Sequence, residues 1–390
     1  MRFSDRMDAI PEYVVARMNR VIAEQRAAGV DVISLGVGDP DLPPDPRIRA
    51  RLAEEVQRDD AARYPTNVGL PDLRAAVAEH YARRFGVELD PATEILPLLG
   101  AKEGLAHLAL AVLDPGALSL VADPGYPVYT GGPLLAAAGS YPLPLQATSG
   151  FQPDLDAVPA EAAARARLLV CGYPNNPTGA IAAPDLFTRL ADFGDRHELV
   201  LCHDHAYAEL AFDDALAPSA LADPGFRARG IEILSLSKTY SVPGWRIAFA
   251  VGNPAIIAVL QRLKTQIDSG MFPALQRTAA WMLRQTDLDG PPLAVYRARR
   301  DLACRRLGEI GMPVDPPQGG MYLWVPIPTQ ESAHGFADRI LTEAAVVVTP
   351  GSAYGSAGEG FVRMALTLPE DRLDEAIGRI GAVLAATCGE

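Results

Sequence analysis

Lys238 stands in the stretch Ser235-Leu-Ser-Lys-Thr-Tyr-Ser-Val-Pro-Gly-Trp-Arg246, just past an apolar run in which Ile231, Ile233 and Leu234 read as a buried strand. Arg246 to Val251 reads as a second strand, so the lysine falls on the connection between two strands of one sheet. A lysine amine in a desolvated place, with a cation such as Arg246 nearby, loses affinity for its proton and becomes a nucleophile toward carbonyl carbon. Around it Ser235, Ser237 and Arg246 offer two hydroxyls and a forked cation, the donors that a phosphate dianion takes. A surface Lys-Thr turn before a Pro-Gly bend is the other reading of Ser-Lys-Thr alone; the wider pattern, Ser-x-Ser-Lys with an arginine eight positions on, favours chemistry.

Other residues extend that chemistry. Asp204 follows the apolar run Leu199 to His203; it is either the cap of the next turn or a buried carboxylate that needs a positive partner. Arg363 lies within Phe361-Val-Arg-Met-Ala-Leu366, where a guanidinium is costly and a bidentate carboxylate would resolve the cost. Asn176, Tyr207 and Tyr126 read as turn and core residues or as contacts to a ligand ring and its polar groups. Gly38, in the loop Gly36-Val-Gly-Asp-Pro-Asp-Leu-Pro-Pro44, is part of a linker or a place where a ligand carboxylate reaches a bare backbone N–H. Gly100-Ala101-Lys102-Glu103-Gly104 opens a helix after a strand, which makes an anion site from free N–H groups and the helix dipole, although many strand-to-helix junctions share that form. His203 and His205 flank Asp204 and suggest a metal pair, but the alternation of side chains along a strand argues that both cannot ligate, and no metal site is expected.

The elements that must position these residues follow in order. After Ile10-Pro-Glu-Tyr13 the chain reads as a helix from about Val14 to Ala28, stopped by Gly29, and as a short strand from Val32 to Leu35. Tyr64-Pro-Thr-Asn-Val-Gly-Leu precedes Pro71, which starts a helix that ends before Gly86. Strands then read at 96–99, 118–122, 168–171 and 199–203, separated by helices that include one reaching Gly139 and one from about Pro184 to His197. That rhythm predicts an α/β fold with a mostly parallel sheet covered on both faces. Ligands of such sheets sit at the carboxyl ends of the strands, where Tyr126, Asn176, Asp204, Tyr207 and Lys238 all fall. Helices at 254–267 and 273–285 lead to the break Asp289-Gly-Pro-Pro292. Beyond it a basic helix from Leu293 to Ile310, strands at 321–325, 346–349 and 361–368, and a last helix at 370–385 describe a smaller α+β lobe. The expected division is residues 1–45 as N-terminal arm and part of the small lobe, 46–288 as the large domain, and 289–390 as the small domain.

Composition narrows the function classes. The 390 residues are 49% hydrophobic and 21% charged, with a net charge of −13 and a pI near 5.0, which argues against nucleic acid and anionic membrane as partners. Cys171, Cys202, Cys304 and Cys388 show no C-x-x-C spacing and read as reduced thiols of a cytoplasmic protein. No signal-peptide pattern opens the chain and no apolar run reaches the ~18 residues of a span. A P-loop enzyme would need glycines that Ser-Leu-Ser-Lys-Thr lacks, and an effector-sensing regulator would need a DNA-binding segment that is absent here.

Taken together, Ile10-Pro-Glu-Tyr13, Leu35-Gly-Val-Gly-Asp-Pro-Asp-Leu-Pro43, Leu98-Leu-Gly-Ala-Lys-Glu-Gly104, Asp123-Pro-Gly-Tyr-Pro-Val-Tyr129, Tyr173-Pro-Asn-Asn-Pro-Thr-Gly179, the Lys238 segment and Val347-Val-Thr-Pro-Gly351 resemble the pyridoxal-phosphate aminotransferases of class I/II. Within that family they are most similar to the subgroup acting on LL-diaminopimelate. The resemblance implies fold type I, with a seven-stranded-type sheet, pyridoxal 5'-phosphate as cofactor, an amino acid and a 2-oxo acid as substrates, and a homodimer with shared active sites. It implies that Lys238 carries the cofactor covalently, Asp204 pairs with the pyridine nitrogen, Asn176 and Tyr207 bond the phenolic oxygen, and Tyr126 stacks on the ring. Ala101, Lys102, Ser235, Ser237 and Arg246 would hold the phosphate, with Tyr64 reaching in from a neighbouring subunit. Tyr13, Gly38, Asn176 and Arg363 would meet the substrate. The chain departs from the subgroup at Ala101, where a hydroxyl residue is common, at His205, where a small residue is expected, and at Ser241-Val-Pro-Gly and Pro317-Gln-Gly-Gly. These departures leave open an aspartate, alanine, methionine or specialised-metabolite aminotransferase, and a lyase or decarboxylase on the same fold.

Overall fold

The apolar runs that end in the candidate residues become strands buried along nearly their whole length, as expected when both faces of a sheet are covered. The computed structural model describes residues 1–12, 14–213, 217–288 and 293–387. Its strands are β1 (Ile33–Ser34), β2 (Ile95–Leu98), β3 (Leu118–Asp123), β4 (Gly139–Pro144), β5 (Ala166–Gly172), β6 (Val200–His205), β7 (Gly230–Ser235), β8 (Ala248–Gly252), β9 (Tyr322–Pro326), β10 (Val346–Val347), β11 (Thr349–Pro350) and β12 (Phe361–Ala365). A seven-stranded sheet has the order β2-β8-β7-β6-β5-β3-β4. β8 runs antiparallel to both neighbours and the other pairings are parallel. The carboxyl ends of β3, β5, β6 and β7 therefore meet at one edge.

Alternation along these strands feeds two apolar layers. Leu168, Val170, Cys202, Ile231 and Ile233 pack with Leu105 and Leu108 of the helix Ala101–Val112 and with Leu260 of the helix Pro254–Lys264. Leu169, Cys171, Leu201 and Leu234 face the other way, onto a cluster that includes Leu73 and Tyr81 of the helix Pro71–Phe85 and Leu190 of the helix Leu186–Arg196. Each fully buried Leu or Ile contributes about 1.5–3 kcal/mol of transfer free energy, enough to hold the sheet in register with its helices. Pro71 opens its helix and Gly86 closes it in the left-handed conformation, φ 66°, as expected.

A second core gathers around β9, β12 and the helices Leu293–Glu309, Ala333–Ala344 and Glu370–Thr387. Here β11-β12-β9 form an antiparallel sheet, and β1 pairs with β10 in parallel, Ile33 opposite Val346. The N-terminal segment thus adds its apolar residues, Ile33 and Leu35, to the core of the C-terminal region. Tyr207 and Phe212, which follow β6, belong to the same core.

Three expectations need correction. The helix expected to reach Gly139 ends at Leu135, and β4, which begins at Gly139, has no counterpart in the sequence reading; Pro142 and Pro144 hide it, and prolines are tolerated because β4 is an edge strand. Arg246 is not in β8 but precedes it with a left-handed backbone, φ 57°. The run at 346–349 is two short strands that serve different partners, β10 with β1 and β11 with β12. The lobe break at 289–292 lies outside the described residues. Among the described residues Cys171, Cys202 and Cys304 are free, and no helix is long and apolar enough to cross a membrane.

One ion pair anchors the glycine loop after β1. Arg299 is buried and makes two 2.8 Å bonds to Asp41, with a third to the carbonyl of Leu366. Removing the partly exposed Asp41 strands a buried guanidinium, so Asp41→Ala is expected to cost ~3 kcal/mol, read as a lowered denaturant midpoint with unchanged slope. Arg299→Met in the same chain should recover most of the loss.

Candidate functional site

At the carboxyl edge of the large sheet lies a cavity of about 310 Å³. β7 ends in Ser235, whose hydroxyl caps the short helix Leu236–Thr239 by accepting from the Ser237 N–H at 3.2 Å. That single turn carries Ser237 and Lys238 to the cavity wall. Lys238 Nζ donates to the Gly38 carbonyl at 2.9 Å. Burial lowers its pKa, the Arg363 and Arg246 cations lower it further, and Tyr322 and Asp39 oppose them. A buried amine of lowered proton affinity is more available as a nucleophile than an exposed lysine.

Arg246, held by its left-handed backbone and a 2.8 Å bond to the Pro243 carbonyl, lays its guanidinium over Gly100. An ideal Cβ on Gly100 would lie 2.0 Å from Arg246 Nη2, and Gly100 itself has φ 96°, so any side chain there is strained and displaces the guanidinium. Gly100 is the N-cap of the helix Ala101–Val112. Arg246, Ala101 and Lys102 all line the cavity beside Ser235 and Ser237, and together with the helix N-terminus they form a cradle for an anion of phosphate size.

Asp204, the penultimate residue of β6, turns into the cavity from the face opposite His203 and His205. Its carboxylate accepts from Tyr129 Oη at 3.0 Å and from the Ala206 N–H at 3.3 Å. Gly172 on β5 leaves room for Tyr129, whose hydroxyl would sit 2.4 Å from a Cβ there. Burial pushes the Asp204 pKa up to about 6 against those donors, the signature of a carboxylate that lacks a cation. Tyr126 lines the same wall, edge-on to Tyr129.

Across the cavity, Arg363 of β12 is buried. Its Nη1 donates to Asn176 Oδ1 at 3.1 Å and its Nη2 to the Gly36 carbonyl at 2.7 Å, and its guanidinium carbon lies 3.9 Å from the ring centre of Tyr322 and 4.9 Å from that of Tyr354. Neutral acceptors and aromatic faces therefore meet the cation where a carboxylate was expected. Tyr207 Oη bonds Tyr322 Oη at 3.1 Å.

Sequence reasoning missed Tyr322, Tyr129 and Asp39. Tyr322 sat in an apolar strand and read as core, yet it touches both halves of the site. Burial alone would raise its phenol, but Arg363 and Lys238 beside it bring the pKa below the ordinary range. It also explains Gly38, because a Cβ at that position would lie 2.0 Å from the Tyr322 hydroxyl; the glycine makes room for a phenol. Tyr64, expected to reach a neighbouring subunit's site, does not line this chain's own cavity. It is 91% exposed on the surface, and Tyr13 lies outside the described residues. The expectation that His203 and His205 point to opposite faces is wrong: two residues apart on a strand they share a face, and their ring centres are 4.7 Å apart.

Residues 30–380 match the profile of the family described as aminotransferase class I and II. The chain belongs to that family. It is 46% identical over 385 residues to an LL-diaminopimelate aminotransferase of Desulforudis audaxviator, covering 97% of each chain. It is 44% identical over 390 residues to one of Moorella thermoacetica, covering 98% of this chain and 99% of that one. Among solved structures, substrate-bound BacF from Bacillus subtilis superimposes with a TM-score of 0.94 at 33% identity, over 98% of both chains. This aminotransferase uses pyridoxal phosphate, and its substrates are amino acids and 2-oxo acids. The residues present fit that group: the Gly100 cradle accepts a phosphate, Asp204 lacks the cation that a protonated ring nitrogen supplies, and Lys238 presents an amine between them.

Asp204 gives the aminotransferase a pH-dependent weakness without its cofactor. Its folded pKa of about 6 lies above the ~3.9 of an unfolded aspartate. Between these values the folded protein holds the extra proton, so stability falls as pH rises through the window and stays reduced above it. Apoprotein carrying Asp204→Asn is therefore expected to be more stable than the unaltered apoprotein at pH 8, by ~1–3 kcal/mol, with the difference vanishing near pH 4. Denaturant midpoints at the two pH values test this, and a less stable variant at pH 8 contradicts it.

Proposed function

We propose that this aminotransferase moves an amino group from LL-diaminopimelate to 2-oxoglutarate. The observation that carries the donor is the near-full-length similarity to relatives of that name. The reaction itself is supported by Lys238, Asp204 and Arg363 facing one cavity. When bound, pyridoxal phosphate supplies an aldehyde for the amino group and a ring that takes up the electron pair left at the substrate's Cα.

The chain's own residues do the rest. In this reading Asp204, as the carboxylate, holds the proton on the ring nitrogen, and Tyr129 orients it. Asn176 and Tyr207 donate to the phenolic oxygen, with Tyr322 setting the Tyr207 hydroxyl, and Tyr126 lies against the ring. The phosphate takes the helix N–H of Ala101 and the side chains of Lys102, Ser235, Ser237 and Arg246; the missing hydroxyl at Ala101 leaves backbone donation intact. Arg363, with Gly38 and Asn176, fixes the α-carboxylate so that the Cα–H bond faces Lys238. Lys238 Nζ, weakly basic because it is buried, takes the Cα proton. Tyr13 is assigned to the substrate side on the resemblance alone. No metal is needed.

The assembly is read as a two-fold homodimer with shared sites. Tyr64 is 91% exposed, and Ile267 and Phe272 are exposed as well. The ideal Cβ of Gly270 lies 3.0 Å from the Thr66 carbonyl, so the Tyr64 segment and the polar 268–272 loop adjoin, and their exposed Tyr64 and Phe272 suit a second copy. We divide the chain into residues 1–45, 46–288 and 289–390 as above. The free, buried thiols of Cys171 and Cys202 suit the reducing cytoplasm.

Mixing holoenzyme with each of a panel of amino acids and following the cofactor spectrum tests the donor. LL-diaminopimelate is expected to convert it, Lys238→Ala should abolish the change, and Arg363→Lys should raise KM about ten-fold by loss of the fork. Carbon dioxide or ammonia released without that conversion would replace the reading by a decarboxylase or lyase. For the assembly, sedimentation should give a dimer, and Tyr64→Phe should weaken cofactor affinity about ten-fold through one lost hydrogen bond to a charged group; a fully active monomer ends the idea.

A further inference from the structure

Behind Asp204, on the other face of β6, lies a buried cluster that the reaction above does not use. His203 and His205 both face Glu232 of β7, and all three are 0% exposed. Glu232 Oε1 accepts from His205 Nδ1 at 3.0 Å, Tyr81 Oη at 2.8 Å and Ser219 Oγ at 3.0 Å. Its Oε2 accepts from His203 Nδ1 at 2.9 Å, the Ala220 N–H at 2.8 Å and Ser219 Oγ at 3.1 Å. Two imidazoles and a carboxylate have the composition of a divalent-cation site. Here, however, hydroxyl and amide donors already occupy both carboxylate oxygens, and an ion with Zn–N bonds of about 2 Å would have to displace them.

An ionised carboxylate only accepts, so each imidazole turns an N–H toward it from Nδ1, and the two Nε2 atoms are left to be assigned. His205 Nε2 has no hydrogen-bond partner among the described residues, so a proton there would be buried without an acceptor. His203 Nε2 lies 3.2 Å from the Tyr173 nitrogen, which donates to it, and 3.1 Å from the Tyr173 carbonyl, which a charged ring would choose instead. Burial lowers the His203 pKa, with Glu232 opposing, which agrees with a neutral ring. The backbone N–H at Tyr173 is thereby satisfied by an imidazole lone pair.

Tyr173 begins the loop that carries Asn176. Inside that loop Asn175 Oδ1 accepts from Thr178 N at 3.1 Å and Thr178 Oγ1 at 2.8 Å, and Asn175 Nδ2 donates to the Gly172 carbonyl at 3.3 Å. The loop is rigid within itself, and His203 ties its first residue to the back of the sheet. Its exposed face presents Asn176 to Arg363.

We propose that Glu232 is a positioning residue of the reaction: it fixes the Nδ1–H tautomer of His203, whose Nε2 then holds the Tyr173 N–H, and so sets Asn176 and the Arg363 guanidinium for the substrate's carboxylate. The last link rests on the role given above to Arg363. The first does not. Glu232 acts from the far side of the sheet, and His203 and Asp204, adjacent on β6, serve the two ends of one substrate complex from opposite faces.

Long-range proton–nitrogen correlation on ¹⁵N-histidine-labelled holoenzyme tests the first link without any turnover. The chain has six histidines, and His203→Gln identifies the signal. At neutral pH His203 is expected to show a protonated Nδ1 and a bare Nε2. An imidazolium, an Nε2–H tautomer or a metal-bound nitrogen overturns the proposal whichever amino acid is the substrate. The second link is read from kinetics with whichever donor converts the holoenzyme. His203→Ala and Glu232→Gln are expected to raise KM about ten-fold with kcat nearly unchanged, the size expected for a buried N–H left without its acceptor. His203→Gln, whose amide oxygen can accept from Tyr173 in place of Nε2, should restore KM. Equal KM in folded His203→Ala and unaltered enzyme, alongside the expected tautomer, breaks the link to Arg363 and leaves the donor assignment untouched.

Discussion

A carboxylate taken out of water and given a phenol and one backbone N–H as donors is short of positive charge, and the site is arranged around that shortage at Asp204. Lys238 is disfavoured as a cation by burial and by the arginines nearby. Arg363, the buried cation on the far wall, meets neutral oxygens and aromatic faces. The helix N-terminus at Ala101 adds a partial positive charge under Arg246. Asp204 is short of positive charge, while the helix N-terminus under Arg246 and the guanidinium of Arg363 offer it, so a ligand that is positive at one place and negative at two suits the site. A protonated pyridine ring with a phosphate, joined to an amino acid, has that distribution.

The pleat of β6 lets this electrostatics coexist with a stable sheet. Asp204 shares its face with Cys202 and looks into the cavity, while His203 and His205 share the other face with Leu201 and close on Glu232. Glu232 is buried as deeply as Asp204, but its donors come from four side chains and a backbone N–H. Burial alone would raise its pKa; His205 and His203 hold it well below the usual carboxylate range. Two buried carboxylates on adjacent strands thus differ in kind. One is saturated by the protein's own donors; the other is left short of them.

Two hydrophobic cores meet at the cavity. The large sheet contributes Lys238 and Asp204, and the second core contributes Arg363, Tyr207 and Tyr322. Gly38 sits at the junction, with its carbonyl on Lys238 and its bare Cα against the Tyr322 hydroxyl. The loop that bears it is tied by Asp41 to Arg299. A chain of short contacts thus links the second core to the Lys238 amine.

What could be read without coordinates is what depends on local composition. The apolar runs read at 168–171, 199–203 and 231–234 fold as the strands β5, β6 and β7 because each is too hydrophobic to be anything but buried. Pro71 and Gly86 mark a helix because their own backbone preferences do so. Lys238, Asp204 and Arg363 were legible as candidates because a charge inside or just past an apolar strand demands a reason. β4 was lost because its prolines are permitted only by its place at the edge of the sheet, which no local pattern reveals. Tyr322, in an apolar strand, and Tyr129, at the start of the helix Val128–Leu135, were lost because a tyrosine has the same local sequence whether its hydroxyl meets core or cavity. His203 and His205 were misassigned although the period of a strand already puts them on one side; their partner Glu232, 27 residues beyond His205, came only with the pairing of β6 and β7. Sequence alone determined the residue types, their order and the faces they can share, since these follow from the chemistry and period of a single segment. Tertiary structure decided which buried charges are matched and which are left short, because that depends on donors brought together from segments far apart in the chain.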